Sequence, residues 1–211
     1  MRQMRLQPLF FLFVVFTLPL FSQTTGRWCR TAVPCEDSIF TLPSPHRKFQ
    51  ISVHNYSELT VINNSTNRKF NTVSTILNPS EIAWSPNDSM FFINQSDGGA
   101  VGTWSVVAYR IHENKIVEMN LASEPLKKFQ KKMKVWCPGE TPNIAACGWI
   151  DGGEKILIVG EVPPHSSCKE MGKLEAYLID VRLGKIIHSM DEKELKGKWL
   201  QILGGQINGI E

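Results

Sequence analysis

The sequence lacks the short motifs by which most catalytic sites are recognised. It contains no G-x-S-x-G nucleophile turn, no H-E-x-x-H zinc motif and no phosphate-binding P-loop. No C-x-x-C pair occurs and no histidine stands at ligand spacing, which argues against a zinc site. The histidines are instead scattered: His46, His54, His112, His165 and His188. We expect neither metal nor cofactor, and the balance favours a protein that is not an enzyme.

The chain also lacks an apolar run long enough to span a bilayer. Residues 9–18 are almost wholly apolar, but a membrane-spanning helix needs about 20 such residues. Two arginines precede this run, and Pro19 and Ser22 follow it. This is the pattern of a cleavable secretory signal. We predict a signal peptide at 1–22, a single β-rich domain at 23–211, and a secreted or periplasmic location.

A strong excess of charge of one sign is absent as well. The formal net charge is +3, and two of the positive charges leave with the predicted signal. A nearly neutral mature chain does not call for a nucleic acid or an anionic membrane as its partner. We expect another protein or a cell-envelope component as the partner, and no further membrane span.

Cysteines are few, and all five follow the predicted signal, in a compartment that permits disulfides. Cys29 and Cys35 flank a proline, and we expect them to pair and fix the N-terminus. Of the other three, one must remain unpaired. Cys147 stands in an apolar run, where a free thiol behaves as a small apolar group. We favour a Cys137–Cys168 disulfide, with Cys147–Cys168 as the alternative.

What the sequence does contain is a repeated order of strands and turns. Three stretches, at about 38–76, 80–120 and 144–190, each read as strand, tight turn, strand, longer loop, strand, tight turn and strand. Trp84 and Trp149 occupy matching positions in the second and third stretches. The pattern predicts an all-β fold of three four-stranded antiparallel meanders, with a β-sandwich as the alternative.

The hairpin "AWSPNDSMFFIN" resembles the bacterial propeller repeat whose core reads W-S-P-D-G, as in the Tol-associated periplasmic β-propeller. Trp84, Ser85, Pro86 and Asp88 match this motif, although Asn87-Asp88 stands where Asp-Gly is usual. The third stretch matches less well because it lacks Ser-Pro. The resemblance implies a partial β-propeller. Since propellers usually have four to eight blades, three units raise the prospect of a homodimer that closes a ring.

Two short helices are predicted beside the sheets. Ser123 and Pro125 indicate a helix start, and apolar residues follow at helical spacing among five lysines. These lysines read either as a solvated face or as an anion-docking patch. Ser189 and Glu192 form a capping-box pattern for a second helix, with Leu195 and Trp199 as its apolar anchors.

Function in such folds resides in loops on a rigid scaffold. We therefore predict an exported binding or scaffolding module, with a secreted enzyme or a secreted protein inhibitor as alternatives. The candidate binding loops, at 95–102 and 161–172, both join a second strand to a third and should share one rim. Their candidate contact residues are Gln95, Asp97, Trp104, His165 and Ser166.

Overall fold

The structure is a computed structural model, and it describes residues 26–34, 39–54, 58–71, 76–77, 79–99, 103–113 and 115–199. The predicted signal peptide and Cys35 lie outside these ranges. Within them, no helix combines the length and apolar character that crossing a membrane requires.

Within the described residues, twelve strands form three separate four-stranded sheets, each antiparallel and each in simple meander order. Sheet 1 consists of β1 (Phe40–Pro43), β2 (Phe49–His54), β3 (Glu58–Asn63) and β4 (Lys69–Asn71). Sheet 2 consists of β5 (Ser80–Trp84), β6 (Met90–Ser96), β7 (Trp104–His112) and β8 (Lys115–Met119). Sheet 3 consists of β9 (Asn143–Ile150), β10 (Lys155–Glu161), β11 (Leu174–Asp180) and β12 (Lys185–Asp191). The predicted three meanders are confirmed, and the two-sheet sandwich is wrong.

The two tryptophans that suggested a repeat lie at equivalent points. Trp84 pairs with Phe91 across its hairpin, and Trp149 pairs in the same way with Ile156, seven residues on in both cases. Each indole N–H donates to a carbonyl on the first strand of the preceding sheet. Trp84 Nε1 is 3.1 Å from the Leu42 oxygen, and Trp149 Nε1 is 3.2 Å from the Ala83 oxygen. Each tryptophan therefore links its sheet to the one before.

The first hairpin turn of sheet 1 repeats that of sheet 2 atom by atom. Ser44 N–H donates to the Phe49 carbonyl at 2.8 Å, and Phe49 N–H returns a bond to Ser44 Oγ at 3.0 Å. Ser85 and Met90 make the same two bonds, at 2.8 and 3.0 Å. The sequences "SPHRKF" and "SPNDSM" share Ser-Pro. The first stretch therefore resembles the second more closely in its turn than the spacing of its strands in the sequence indicates.

Sheet 2 lies between sheets 1 and 3, so its central strand is buried on both faces. In β6, Phe91 and Ile93 join the apolar cluster shared with sheet 1. Met90 and Phe92, which alternate with them, join the cluster shared with sheet 3. Successive side chains of a strand point to opposite faces of its sheet, so a strand between two packed layers needs apolar residues at consecutive positions.

Both predicted helices form, but neither begins with the predicted cap. Helix α1 (Ser123–Trp136) has Ala122 at its N-cap, and Ser123 is its first helical residue. Helix α2 (Glu192–Glu194), which continues as a π-helical turn (Leu195–Trp199), is capped by Asp191. The predicted Ser189 cap is wrong because β12 continues to Asp191, so that Ser189 is a strand residue. The predicted anchors Leu195 and Trp199 are buried against the far face of sheet 3.

Candidate functional site: a cleft held by a disulfide

The loop between β10 and β11 is built from consecutive hydrogen-bonded turns. At its base the strand ladder continues, because Val162 N–H donates to the Lys173 carbonyl at 3.0 Å and Gly172 N–H returns a bond to Val162 at 2.9 Å. Beyond the base, Ser166 N–H donates to Pro163 and Met171 N–H to Cys168, at 3.1 and 3.2 Å. Backbone bonds of this kind give the loop a defined shape.

A disulfide joins this loop to the end of α1. Cys137 and Cys168 are bonded, with their Cα atoms 5.5 Å apart. Cys137 is also where the helix ends, since its N–H donates to the Met133 carbonyl at 2.7 Å. This is the pair favoured from the sequence, and the alternative Cys147–Cys168 pair is wrong because Cys147 is a buried free thiol.

The disulfide forms the floor of an open cleft of about 420 Å³. Its walls come from the end of α1 and from the loop: Val135, Trp136, Pro138, Glu140, Ser167, Lys169 and Glu170. Val135, a lining residue, is 81% exposed, and Met171, which directly follows the lining residue Glu170, is 56% exposed. Lys173 Nζ lies 4.0 Å from the centre of the Trp136 ring and 3.0 Å from Glu170 Oε2. The cleft thus combines apolar contact surface with charges of both signs.

Helix α1 is held against β10 by a contact that only glycine permits. A Cβ atom at Gly160 would lie 2.7 Å from Phe129 Cγ, inside the ring's van der Waals surface. Phe129 and Met133 are fully buried at this contact. Because the helix packs against β10 and the loop begins at the end of β10, both walls of the cleft are positioned by the same strand.

The lysines of α1 divide into two sets. Lys128 donates to Ser189 Oγ at 2.8 Å, and Lys132 forms an ion pair with Glu175, so both bind sheet 3. Lys127, Lys131 and Lys134 are exposed on the remaining face. Like charges spaced at i,i+4 destabilise a helix by about 0.2–0.5 kcal/mol per pair. The helix therefore carries a charge pattern that its own stability does not favour.

A pair of buried polar side chains fixes the base of the loop to sheet 2. Glu161, the last residue of β10, accepts from Asn143 Nδ2 at 2.7 Å and from Arg27 Nη2 at 2.6 and 2.8 Å. Asn143 Oδ1 in turn accepts the Trp104 N–H of sheet 2 at 3.0 Å. Burial raises the pKa of Glu161, while Asn143 and Arg27 act against that rise.

A second pair links the same sheets in the opposite direction. Asn94 of sheet 2 donates to the Ala146 carbonyl and accepts the Ala146 N–H, both at 2.8 Å. Its amide also donates to Glu81 at 3.3 Å. Glu81 accepts three successive backbone N–H groups, those of Arg27, Trp28 and Cys29. Burial raises the pKa of Glu81, and these donors oppose it.

The N-terminal segment is therefore fixed by carboxylates rather than by the predicted disulfide. Cys29 is a buried free thiol, so the structure does not contain the Cys29–Cys35 pair, and Cys35 itself lies outside the described residues. Thr31 and Val33 add backbone bonds to the edge of β5, at 3.0 and 2.8 Å. Burial also raises the pKa of the Cys29 and Cys147 thiols, which favours their protonated form.

The candidate contact residues fall into different environments. Gln95 lies within β6 and is half-buried, and Asp97 is exposed and closes its own turn by accepting from Gly99 and Thr103 N–H at 2.9 and 3.0 Å. Trp104 is buried against Trp28, with ring centres 6.4 Å apart, and belongs to the core. His165 is exposed on the β10–β11 loop, whereas Ser166 beside it is buried.

The Trp104–Asn143 bond places the start of β7 beside the start of β9, which pairs there with the end of β10, so strand ends that flank the two predicted loops lie close together. The features that sequence reasoning missed are Val135, Met171 and the Asn–Glu pairs. A signal for the pairs existed: Glu81, Asn94, Asn143 and Glu161 are polar residues inside or at the ends of otherwise apolar strands. In strands that are buried on both faces, such as β6 and β9, such residues mark hydrogen bonds between layers.

A second cleft, of about 430 Å³, opens between sheets 2 and 3 at the opposite, turn end. Its walls carry Arg110 and Arg182 together with Glu154 and Asp180. The charges of the two signs balance, and none of its lining residues is an exposed large apolar side chain, although Leu183, which directly follows the lining residue Arg182, is exposed. Among the described residues, no group of three or more histidine, cysteine, aspartate or glutamate side chains is placed to hold a metal ion.

Comparison with known proteins identifies no family. No family model matches the chain, and no curated protein matches its sequence. A solved structure titled a putative 6-phosphogluconolactonase from Bacteroides uniformis is 10% identical, with a TM-score of 0.37, and the match covers 81% of this chain and 45% of that one. The β-propeller domain of Cps50 (Swd1) from Myceliophteria thermophila is 13% identical, with a TM-score of 0.34, over 77% of this chain and 59% of that one. This chain spans about half the length of these structures, and likeness at this level supports no conclusion about it.

Proposed function

We propose that the protein is an exported, non-enzymatic binding module that engages another protein at the disulfide-held cleft. The observation that carries this proposal is the exposure of Val135, which lines a cleft whose two walls are covalently joined, and of Met171, which directly follows the lining residue Glu170. Exposed apolar side chains beside a preorganised concavity are typical of contact surfaces between proteins.

Rigidity of the cleft supports binding because less conformational entropy is lost when a partner docks. The disulfide, the turns of the loop and the Phe129–Gly160 contact all hold the two walls before any partner arrives. Export fits the presence of a disulfide, which persists in oxidising compartments. The partner is another protein or a component of the cell envelope.

The test compares two double variants. Val135→Asp with Met171→Asp places charges at the cleft, and Val117→Asp with Leu183→Asp places the same charges on exposed apolar positions of other strands and turns. Proteins captured from envelope extract by the wild type are identified by mass spectrometry, purified and titrated by calorimetry. We expect the cleft variant to bind at least about tenfold more weakly, a loss of about 1.4 kcal/mol, and the control variant to bind normally.

Equal binding by both variants, or equal loss in both, would contradict the proposal, provided that circular dichroism shows both variants folded. If the purified partner is an enzyme, the same titration read as its catalytic rate separates a scaffold from an inhibitor. A binding module without inhibitory action leaves that rate unchanged at saturation.

A further inference from the structure

The outward side of α1 carries a straight row of lysines. Lys127, Lys131 and Lys134 are exposed and recur at intervals of four and three residues, so they lie along one line of the helix. Each interval places like charges next to each other. Across the described ranges of the chain, none of the three forms an ion pair with a carboxylate.

Positive charge is concentrated on this helix. Helix α1 has five lysines and one glutamate, a net charge of +4, whereas the whole chain carries +3. The single glutamate, Glu124, is occupied by the backbone N–H of Ile186 at 3.0 Å. Lys128 and Lys132 are occupied by sheet 3. Lys128 and Lys132 are thus held against sheet 3, whereas Lys127, Lys131 and Lys134 have no such contact, and intrahelical stability does not explain their like charges.

The row ends at the cleft. Lys134 borders a cavity of about 260 Å³ with Gln130 and Met133, and Cys137 and Glu140 are shared between this cavity and the cleft. Val135, the most exposed apolar side chain of the described residues, follows Lys134 directly. Cationic and apolar contact surface is thus continuous from the middle of the helix to the disulfide.

We infer that the partner carries an acidic segment that lies along Lys127, Lys131 and Lys134 and places an apolar side chain against Val135 in the cleft. This inference rests on the proposed function, since it names the chemistry of the partner at the same site. A protein segment fits better than an anionic membrane. The apolar contact is concave, and Glu140 and Glu170 on its walls would repel a continuous anionic surface.

The probe is a short synthetic peptide rich in glutamate with one central leucine, and its matched control has glutamine in place of every glutamate. One protein variant combines Lys127→Gln, Lys131→Gln and Lys134→Gln. The control variant removes the same charge elsewhere, by Lys69→Gln, Lys115→Gln and Lys185→Gln, all at exposed strand positions. Binding is measured by fluorescence anisotropy of the labelled peptides over a range of salt concentrations.

We expect the acidic peptide to bind the wild type and the control variant alike, and to bind the row variant about tenfold more weakly at low salt. Its affinity for the wild type should fall as salt rises, because exposed charges are screened. Equal binding of both peptides, or equal affinity of both variants, would overturn the inference. So would vesicles containing phosphatidylserine that bind through the row while the peptide does not.

The outcome is distinguishable from failure of the proposed function. With the purified natural partner, loss of binding in the Val135→Asp, Met171→Asp variant but not in the row variant would leave the cleft as the site and reject the acidic segment. Loss in neither variant would reject both proposals. Loss in both, with salt dependence removed only in the row variant, is the expected result.

Discussion

Replacing Asn94 by alanine should remove a large share of the protein's stability. The side chain has no exposed surface, and its amide makes both hydrogen bonds of the Ala146 backbone that cross from sheet 2 to sheet 3. It also donates to the buried Glu81 carboxylate. Alanine cannot replace any of these bonds, and the space is too enclosed for bulk water.

The expected cost follows from the groups left without partners. An unsatisfied buried donor or acceptor costs about 1–3 kcal/mol, and Ala146 would have one of each. Together with the lost donor to Glu81, we expect a decrease of about 3–5 kcal/mol in the free energy of unfolding. Since domains of this size are stable by roughly 5–15 kcal/mol, the variant should fold but unfold at much lower urea.

The assay is equilibrium urea unfolding, followed by tryptophan fluorescence and by far-ultraviolet circular dichroism. The matched control is Asn63→Ala, because Asn63 accepts from Ser65 and Thr66 N–H in an exposed turn, at 3.0 and 3.2 Å. Water replaces those bonds, so the control should cost within about 1 kcal/mol. A loss below about 1 kcal/mol for Asn94→Ala would refute the reasoning, because it would mean that the inter-sheet bonds contribute nothing beyond hydration.

Three further changes test other contacts. Gly160→Ala should cost about 1–3 kcal/mol in urea unfolding by forcing the ring of Phe129 away, whereas Gly197→Ala, whose Cβ would meet nothing within 4 Å, should be close to neutral. Reducing the Cys137–Cys168 bond, which closes a separation of 31 residues, should lower stability by about 3–4 kcal/mol, and no shift of the urea midpoint on adding dithiothreitol would contradict this. Burial raises the pKa of Glu81 and Glu161, so the folded state binds their protons more tightly than the unfolded state does. The amount by which these protons increase the free energy of unfolding is complete below the ordinary carboxyl pKa. It is lost as the pH rises through the raised pKa values of the folded state. The free energy of unfolding of Glu81→Gln, taken relative to that of the wild type, should therefore increase with rising pH. A difference between the two proteins that does not change with pH would contradict the upward direction of the Glu81 pKa shift.

The sheets were predictable because their pattern is local. Strand alternation and the Trp84 hairpin each depend on neighbours within about ten residues, and turn chemistry at Ser85 acts over five. The errors at the helix starts have a local cause too. Ser189 satisfies the spacing of a capping box, but the pairing of β12 with β11 continues past it and delays the helix to Asp191.

The candidate site was less predictable because its parts are distant in sequence. Asn94 and Ala146 are 52 residues apart, and Arg27 and Glu161 are 134 apart. The sequence prediction assigned the N-terminus to a Cys29–Cys35 disulfide, whereas the structure shows Glu81 binding backbone N–H groups, which every residue type except proline carries. Such recognition leaves no motif around Cys29. The one signal in the sequence was Glu81 itself, a carboxylate beside the apolar residues of β5.

The faces of the sheets bear on whether three units close into a ring with a second copy. In sheet 2, the side chains of β6 that face sheet 1 are Phe91 and Ile93. In sheet 3, the corresponding side chains of β10, which face sheet 2, are Ile156 and Ile158. The Ser44–Phe49 and Ser85–Met90 bonds align Gln50 with Phe91 and Ser52 with Ile93. Sheet 1 therefore presents polar side chains where the others present apolar ones, and both are half-buried. Packing another sheet there would desolvate an amide and a hydroxyl without a designated partner. The far face of sheet 3 is apolar, but Leu195, Trp199 and Trp28 already cover it. In the part of the chain that the structure describes, one end of the stack thus carries polar side chains and the other is covered by the chain's own segments, and neither offers the apolar face that ring closure would bury.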